Sequence, residues 1–203
     1  MPPPESVAAQ TAIQQNLKWS SAKHGATFTQ SKLALPPSKK YLVLTCMDAR
    51  IDPAKAFGID LGEAHVIRNT TGSPRQYTAH DHFTDIPIHP SIQAGGCAED
   101  ALRSIVISQQ LLGTNEVLLV KHTGCGMLTF RNEDAYKVIE GNLGSAAAGE
   151  LRMHNMNFMP FPDLEKAVMD DIMYLERSKL IPSDIVLSGW VYDVDSGKTK
   201  KIC

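Results

Sequence analysis

No apolar run in this 203-residue chain approaches the roughly 18 residues that a membrane-spanning helix needs. Its N-terminus lacks a charged stretch followed by an apolar one, and the first arginine is Arg50, so neither an export signal nor an Arg-rich transit peptide is expected. A basic excess is also missing: 20 Lys and Arg face 22 Asp and Glu, for a net charge of −2 and a pI near 6.4. That balance gives no footprint for nucleic acid or an anionic membrane, and leaves a small molecule or a protein as the partner class. Cysteine is scarce. Cys46, Cys97, Cys125 and Cys203 lack the density and spacing of a disulfide scaffold. In a reducing cytoplasm, the expected location, such cysteines serve as buried small residues, metal ligands or nucleophiles.

What is present is the composition of a globular protein, 43% hydrophobic and 21% charged, long enough to bury a real core as one domain over residues 1–203. A proline cluster opens the chain and a helical arm follows over about 5–22, polar apart from Val7, Ile13, Leu17 and Trp19. Such an arm needs a surface to lie on, such as another subunit. LALPPSKK is a loop, since paired prolines fix φ and remove donors. It leads into a strand over about 40–45, whose continuous apolar run suits a strand covered on both faces of a parallel sheet. A short helix near Pro53 to Phe57 and a strand AHVIRN at 64–69 come next. A helical stripe over 101–112 ends at Gly113 and leads to the apolar strand NEVLLVKHT. A helix from about Asn132 to Glu140, the Gly- and Ala-rich stretch GNLGSAAAG, a Met-rich loop and the amphipathic helix PDLEKAVMDDIMYLERS complete the middle. The last strand, DIVLSGWVYDVDSG, turns at Asp195-Ser196-Gly197 and returns as KTKKI. Strands alternating with helices predict an α/β fold with a mainly parallel central sheet flanked by helices.

Ligands of open α/β sheets collect at the carboxyl ends of strands, and two strands here end in chemically loaded residues, CMDAR at 46–50 and HTGC at 122–125. In an extended backbone Cys46 and Asp48, two apart, point to the same side. His122 and Cys125 have a spacing at which a tight turn brings both to one ion. Two thiolates, one imidazole and a carboxylate form a tetrahedral zinc set. Cys46, His122 and Cys125 supply three ligands, and Asp48 or a water takes the fourth place. Set against this, either half alone reads as ordinary packing: a small residue at a strand end, a turn residue at Asp48, a surface charge at Arg50.

CMDAR, GEAHVIRN and EDALRSIVISQQLLGTNEVLLVKHTGCGMLTF together resemble the β class of carbonic anhydrases, whose pattern is Cys-x-Asp-x-Arg followed by His-x-x-Cys. The likeness covers about residues 15–203 and is strongest to the short microbial and fungal branch having CMDAR and HTDCGM. It implies a zinc enzyme that reversibly hydrates carbon dioxide to bicarbonate, built as a homodimer or a higher homo-oligomer. By position it makes Cys46, His122 and Cys125 the zinc ligands and Asp48 with Arg50 the dyad beside them. Zinc with three protein ligands keeps one place for water and lowers that water's pKa from 15.7 to about 7. Asp48 accepts the water's hydrogen bond, and the planar fork of Arg50 holds the carboxylate off the metal. If that clamp opens, Asp48 becomes a fourth ligand and closes the site; the resemblance implies that both forms occur, with pH as a trigger. His65, at the start of a strand, is as well explained by structure as by proton transfer.

The same zinc chemistry also suits a hydrolase of carbon disulfide or carbonyl sulfide, and a zinc-bound but silent scaffold or sensor is a third reading. The departure from the family pattern is the stretch over about 73–95, where the family has a short Asn-Ala-Gly-Gly-like turn. It carries His80, His82 and His89 and reads either as a solvent-facing loop or as translated intron sequence, since its removal restores the family's turn length.

Overall fold

The computed structural model describes residues 17, 20–26, 28, 33–69 and 97–203. The chain divides into two units, 1–34 and 35–203. In the first, residues 20–26 are helical and the rings of His24 and Phe28 meet at 5.2 Å. Most of the expected arm over 5–22 lies outside the described residues, as do the stretch 73–95 and His80, His82 and His89.

The second unit is built on a sheet. Among the described residues its strands are β1 (Tyr41–Cys46), β2 (Ala64–Asn69), β3 (Glu116–His122), β4 (Val186–Tyr192) and β5 (Thr199–Lys201), in the order β2-β1-β3-β4-β5. The first four run parallel and β5 turns back antiparallel on β4. Helices α1 (Pro53–Phe57), α2 (Ala98–Gln110), α3 (Asn132–Leu143), α4 (Ser145–Met153) and α5 (Leu164–Arg177) complete the described part of the unit. The expected α/β fold with a mainly parallel sheet is what forms.

The apolar runs explain the order of the strands. Leu42, Val43 and Leu44 of β1 and Val117 and Leu119 of β3 are at most 1% exposed, so both faces of the central strands are covered. Each such side chain contributes about 1.5–3 kcal/mol on burial. One face packs Leu42, Leu44, Val117 and Leu119 against Ala101 and Ile105 of α2 and Val168, Ile172 and Leu175 of α5. Val43 and Val120 face the other way, against Ile59. β2, at the edge, alternates between half-buried and exposed residues.

Two local features go beyond the sequence pattern. GNLGSAAAG, to which the pattern assigns no element, is helical on both sides of one break: Gly144, at φ 87°, ends α3 and starts α4, whose Ala148 and Leu151 are buried. Alanine's helix propensity outweighs the flanking glycines once the break is confined to one residue with positive φ. The helix expected from residue 101 begins at Ala98, where no local side chain caps it. Asp171 of α5 supplies the acceptor instead, taking a hydrogen bond from the Ala98 amide at 3.3 Å. That carboxylate pairs at 2.7 Å with Lys121 of β3, both side chains fully buried, and the Lys121 ammonium lies 5.0 Å from the centre of the Phe161 ring.

Candidate metal centre

The sheet reverses its direction of growth between β1 and β3: the chain passes from β1 to β2 on one side, then returns to lay β3 on the other. At such a switch point the loops leaving the two strands diverge and open a crevice at their carboxyl ends. Cys46 is the last residue of β1 and His122 the last of β3. The Thr45 hydroxyl, donating to the Val120 carbonyl at 2.9 Å, ties the two strands together just before they part.

After His122 the chain turns sharply. Gly124 sits at φ 60°, in the left-handed region glycine enters freely, and this brings Cys125 back toward His122 ahead of a single 3₁₀ turn at Gly126–Leu128. The Cys46 and Cys125 Sγ atoms and a ring nitrogen of His122 then all lie within 4.8 Å of one another. All three residues are buried, at 4%, 2% and 0% exposure. Neither cysteine is in a disulfide. No other group of three or more metal-ligating side chains of this kind occurs among the described residues.

The hydrogen bonds of the imidazole decide whether this set suits a metal. Nδ1 lies 2.9 Å from the Thr123 carbonyl, which accepts only if Nδ1 carries the proton. Thr123 is itself fixed, its amide donating to the Tyr192 carbonyl at 2.9 Å and its hydroxyl accepting from the Val194 amide at 3.1 Å. Nε2 is therefore the lone-pair nitrogen, and it is buried with no hydrogen-bond partner. A buried acceptor left without a donor is costly unless something electrophilic meets it. Two thiols, that bare nitrogen and room for a fourth ligand fit zinc in its catalytic form, with three protein ligands and one open place.

Beside the set stands the carboxylate. Asp48 lies beyond the last residue of β1, so the loop, and not strand alternation, brings it to the site. Its Oδ1 accepts from the Arg50 amide and Nε, both at 2.9 Å, and its Oδ2 from Arg50 Nη2 at 2.7 Å. The same Nη2 donates to the Gly124 carbonyl at 2.8 Å, joining the two loops. The guanidinium holds the Asp48 carboxyl well below the usual carboxylate range, against the opposing effect of partial burial. Oδ2 stands 3.7 Å from His122 Nε2, too far for a hydrogen bond between them.

Thus Cys46, Asp48, Arg50, His122 and Cys125, singled out from sequence, all converge. His65 does not join them: its Nδ1 is 2.7 Å from the Ser108 hydroxyl, which is 2.7 Å from that of Thr114. Two neighbours escaped the sequence reading. Arg68 closes the β2 strand run with a charge and donates to the carbonyls of Cys46 and Asp48. Thr123 meets His122 through its backbone carbonyl, for which side-chain identity carries no signal, while its hydroxyl accepts from the Val194 amide.

The carbonic anhydrase family profile matches residues 41–199. β-Carbonic anhydrase 1 of Mycobacterium tuberculosis is 33% identical over 172 residues, 84% of this chain and 86% of that protein. The solved structure of carbonic anhydrase from Glaciozyma antarctica, 34% identical, superposes with a TM-score of 0.74 over 92% of this chain and 95% of its own. A carbon disulfide hydrolase of Saccharolobus solfataricus is 28% identical over 185 residues, 82% of this chain and 79% of that protein. With a profile running from the first residue of β1 to the first of β5, and a relative this similar over most of both lengths, the chain belongs to the β-carbonic anhydrase family.

Proposed function

We propose that the protein is a zinc-dependent carbonic anhydrase, converting carbon dioxide and water to bicarbonate and a proton and back again. The observation that carries this reading is the bare, buried His122 Nε2 facing two buried cysteines at the switch point of the sheet. Cys46, His122 and Cys125 would hold the zinc, which when bound makes a hydroxide nucleophile available near neutral pH. Arg50 keeps Asp48 ionised and pointed, its three donors leaving the carboxylate free to act only as an acceptor. Asp48 accepts the hydrogen bond of the reacting water and turns a lone pair toward the carbon of the substrate. While Arg50 grips both oxygens, Asp48 is withheld from the ligand set; released, it is the natural fourth ligand.

Stopped-flow hydration and zinc analysis on one sample test the reading. About one zinc per chain with carbon dioxide hydration supports it. Zinc with carbon disulfide hydrolysis in place of hydration would move the chain to the activity of its 28%-identical relative, and zinc with neither would make it a silent scaffold. Within the enzyme reading, Asp48→Asn is expected to keep the metal and lose about 10²–10⁴ in turnover, the usual worth of a positioned proton acceptor. Arg50→Ala acts in the same direction, and a fully active Arg50→Ala variant would end the clamp.

Exposed apolar side chains support an association of the chain with itself. Among the described residues Leu111, Val138, Leu143 and Met153 are large apolar side chains more than 60% exposed. A homodimer or a higher homo-oligomer covers such surface. Light scattering at micromolar concentration is expected to give a multiple of 22.2 kDa, and a purely monomeric mass would refute it. No helix among the described residues is long and apolar enough to cross a membrane.

A further inference from the structure

Cys46 ends β1, and Asp48 stands two residues further on, where the chain has left the sheet. On the β3 side the ladder of β1 ends at the pair Thr45–Val120, and on the β2 side at Cys46–Asn69. From there to Asp48 no strand pair continues the ladder among the described residues. The end of β2 supplies the missing bonds. The Asn69 carbonyl accepts from the Met47 amide at 2.7 Å. The Arg68 guanidinium reaches over and donates twice, from Nε to the Cys46 carbonyl at 3.1 Å and from Nη2 to the Asp48 carbonyl at 2.7 Å.

We propose that Arg68 is a positioning residue of the metal centre, holding the carbonyls of Cys46 and Asp48 in one fork and so fixing the thiol and the carboxylate relative to His122. This rests on the reading of the site as a zinc hydratase. Cys46 carries a ligand and Asp48 the acceptor, with only Met47 between them. The two side chains are therefore set by a few backbone torsions, and the fork clamps the carbonyls on both sides of those torsions. Arg is suited to this as Lys is not: its planar donors meet two acceptors at once, whereas an ammonium on a flexible stem meets one. Asp48 is thereby held twice, its carboxylate by Arg50 from its own loop and its carbonyl by Arg68 from β2. A displacement of about 1 Å at such a site costs about 100-fold in rate.

The test uses zinc-loaded and cobalt(II)-substituted full-length protein. Arg68→Met removes both donors and keeps the bulk of the stem; Arg68→Lys keeps the charge and loses the fork. For Arg68→Met, zinc transfer to a chromophoric chelator is expected to accelerate about 10–100-fold, as for other residues that orient metal ligands. The thiolate-to-cobalt absorption is expected to shift, and kcat to fall by about 10–100-fold with KM changed less than about 2-fold. Arg68→Lys falls between that variant and the parent in each readout. Should Arg68→Met not fold, Arg68→Lys carries the test alone. Chelator kinetics and a cobalt spectrum equal to the parent's in the folded variants would overturn the assignment. These two readouts do not depend on turnover, so a parent protein that binds zinc yet fails to hydrate carbon dioxide would sink the proposed activity while still reporting on Arg68.

Discussion

Changing Cys46, His122 or Cys125 to Ala is expected to strip the metal from the protein and to lower hydration at least about 1,000-fold, because nothing else at the site generates hydroxide at neutral pH. The three are buried at two strand ends and share one centre, so each deletion leaves two ligands and a hole. Zinc prefers four-coordination, and a two-residue remnant does not compete with chelators. Because the bound metal stabilises only the folded chain, the variants also lose the share of stability that zinc contributes. The parent stripped by a chelator is the matching control and should melt at the same lowered temperature as the variants. Metal analysis decides the matter. A full zinc complement in all three variants would overturn the ligand set, and full zinc in one would remove that residue from it.

The second large effect is expected in the core, away from the metal. Asp171→Ala leaves the Lys121 ammonium buried with its carboxylate gone, and the Ala98 amide without its acceptor. Removing one member of a buried pair costs about 3–5 kcal/mol. The double change Lys121→Met with Asp171→Leu removes both charges and is expected to be near neutral or stabilising, since two buried charges are costly to desolvate even when paired. Burial pushes the Asp171 carboxyl up to about 6, from an ordinary value of 3.8, with Lys121 only partly offsetting it. A carboxyl whose folded value lies above its unfolded one favours the fold below about 4 and gives up that contribution as pH rises through about 6. The double variant should therefore gain stability relative to the parent across that interval. Urea unfolding of the single and double variants at pH 5 and 8 measures both effects; a single variant within about 1 kcal/mol of the parent would show that Lys121 finds solvent when its partner is removed.

The fold was legible where physics is local. The unbroken apolar runs of β1 and β3 announce strands covered on both faces, and the stripe of α5 announces its buried side. The five residues at the two strand ends were legible only together: either half alone reads as ordinary packing, and it is the pair of loaded strand ends, with their likeness to the β-class pattern, that singles them out. What escaped depends on partners far along the chain. Lys121 sits within an apolar run and looks like the point where a strand meets solvent; only Asp171, from another helix, makes it interior. Arg68 looks like an edge-strand charge until the loop after Cys46 is seen beneath it. The start of α2 was placed late because its acceptor comes from α5 and not from a local cap. The Gly- and Ala-rich stretch was assigned no element, and the structure resolves it into the end of α3, a break at Gly144 with positive φ, and the start of α4.

The hydroxyl of Thr45 bonded to the carbonyl of Val120 spans 75 positions of sequence. Its neighbours Cys46 and His122 stand as far apart along the chain, so the metal centre has no precursor in any short segment. Closing a loop of that length is an entropic cost that must be met before any contact across it repays it. As the polypeptide leaves the ribosome, the first thiol emerges well before the imidazole and the second thiol, and it stays an isolated sulfur until β3 docks beside β1. Capture of an ion by all three side chains requires β3 to have docked beside β1, so a bound metal would lock a sheet already formed and would not be the seed around which the chain condenses.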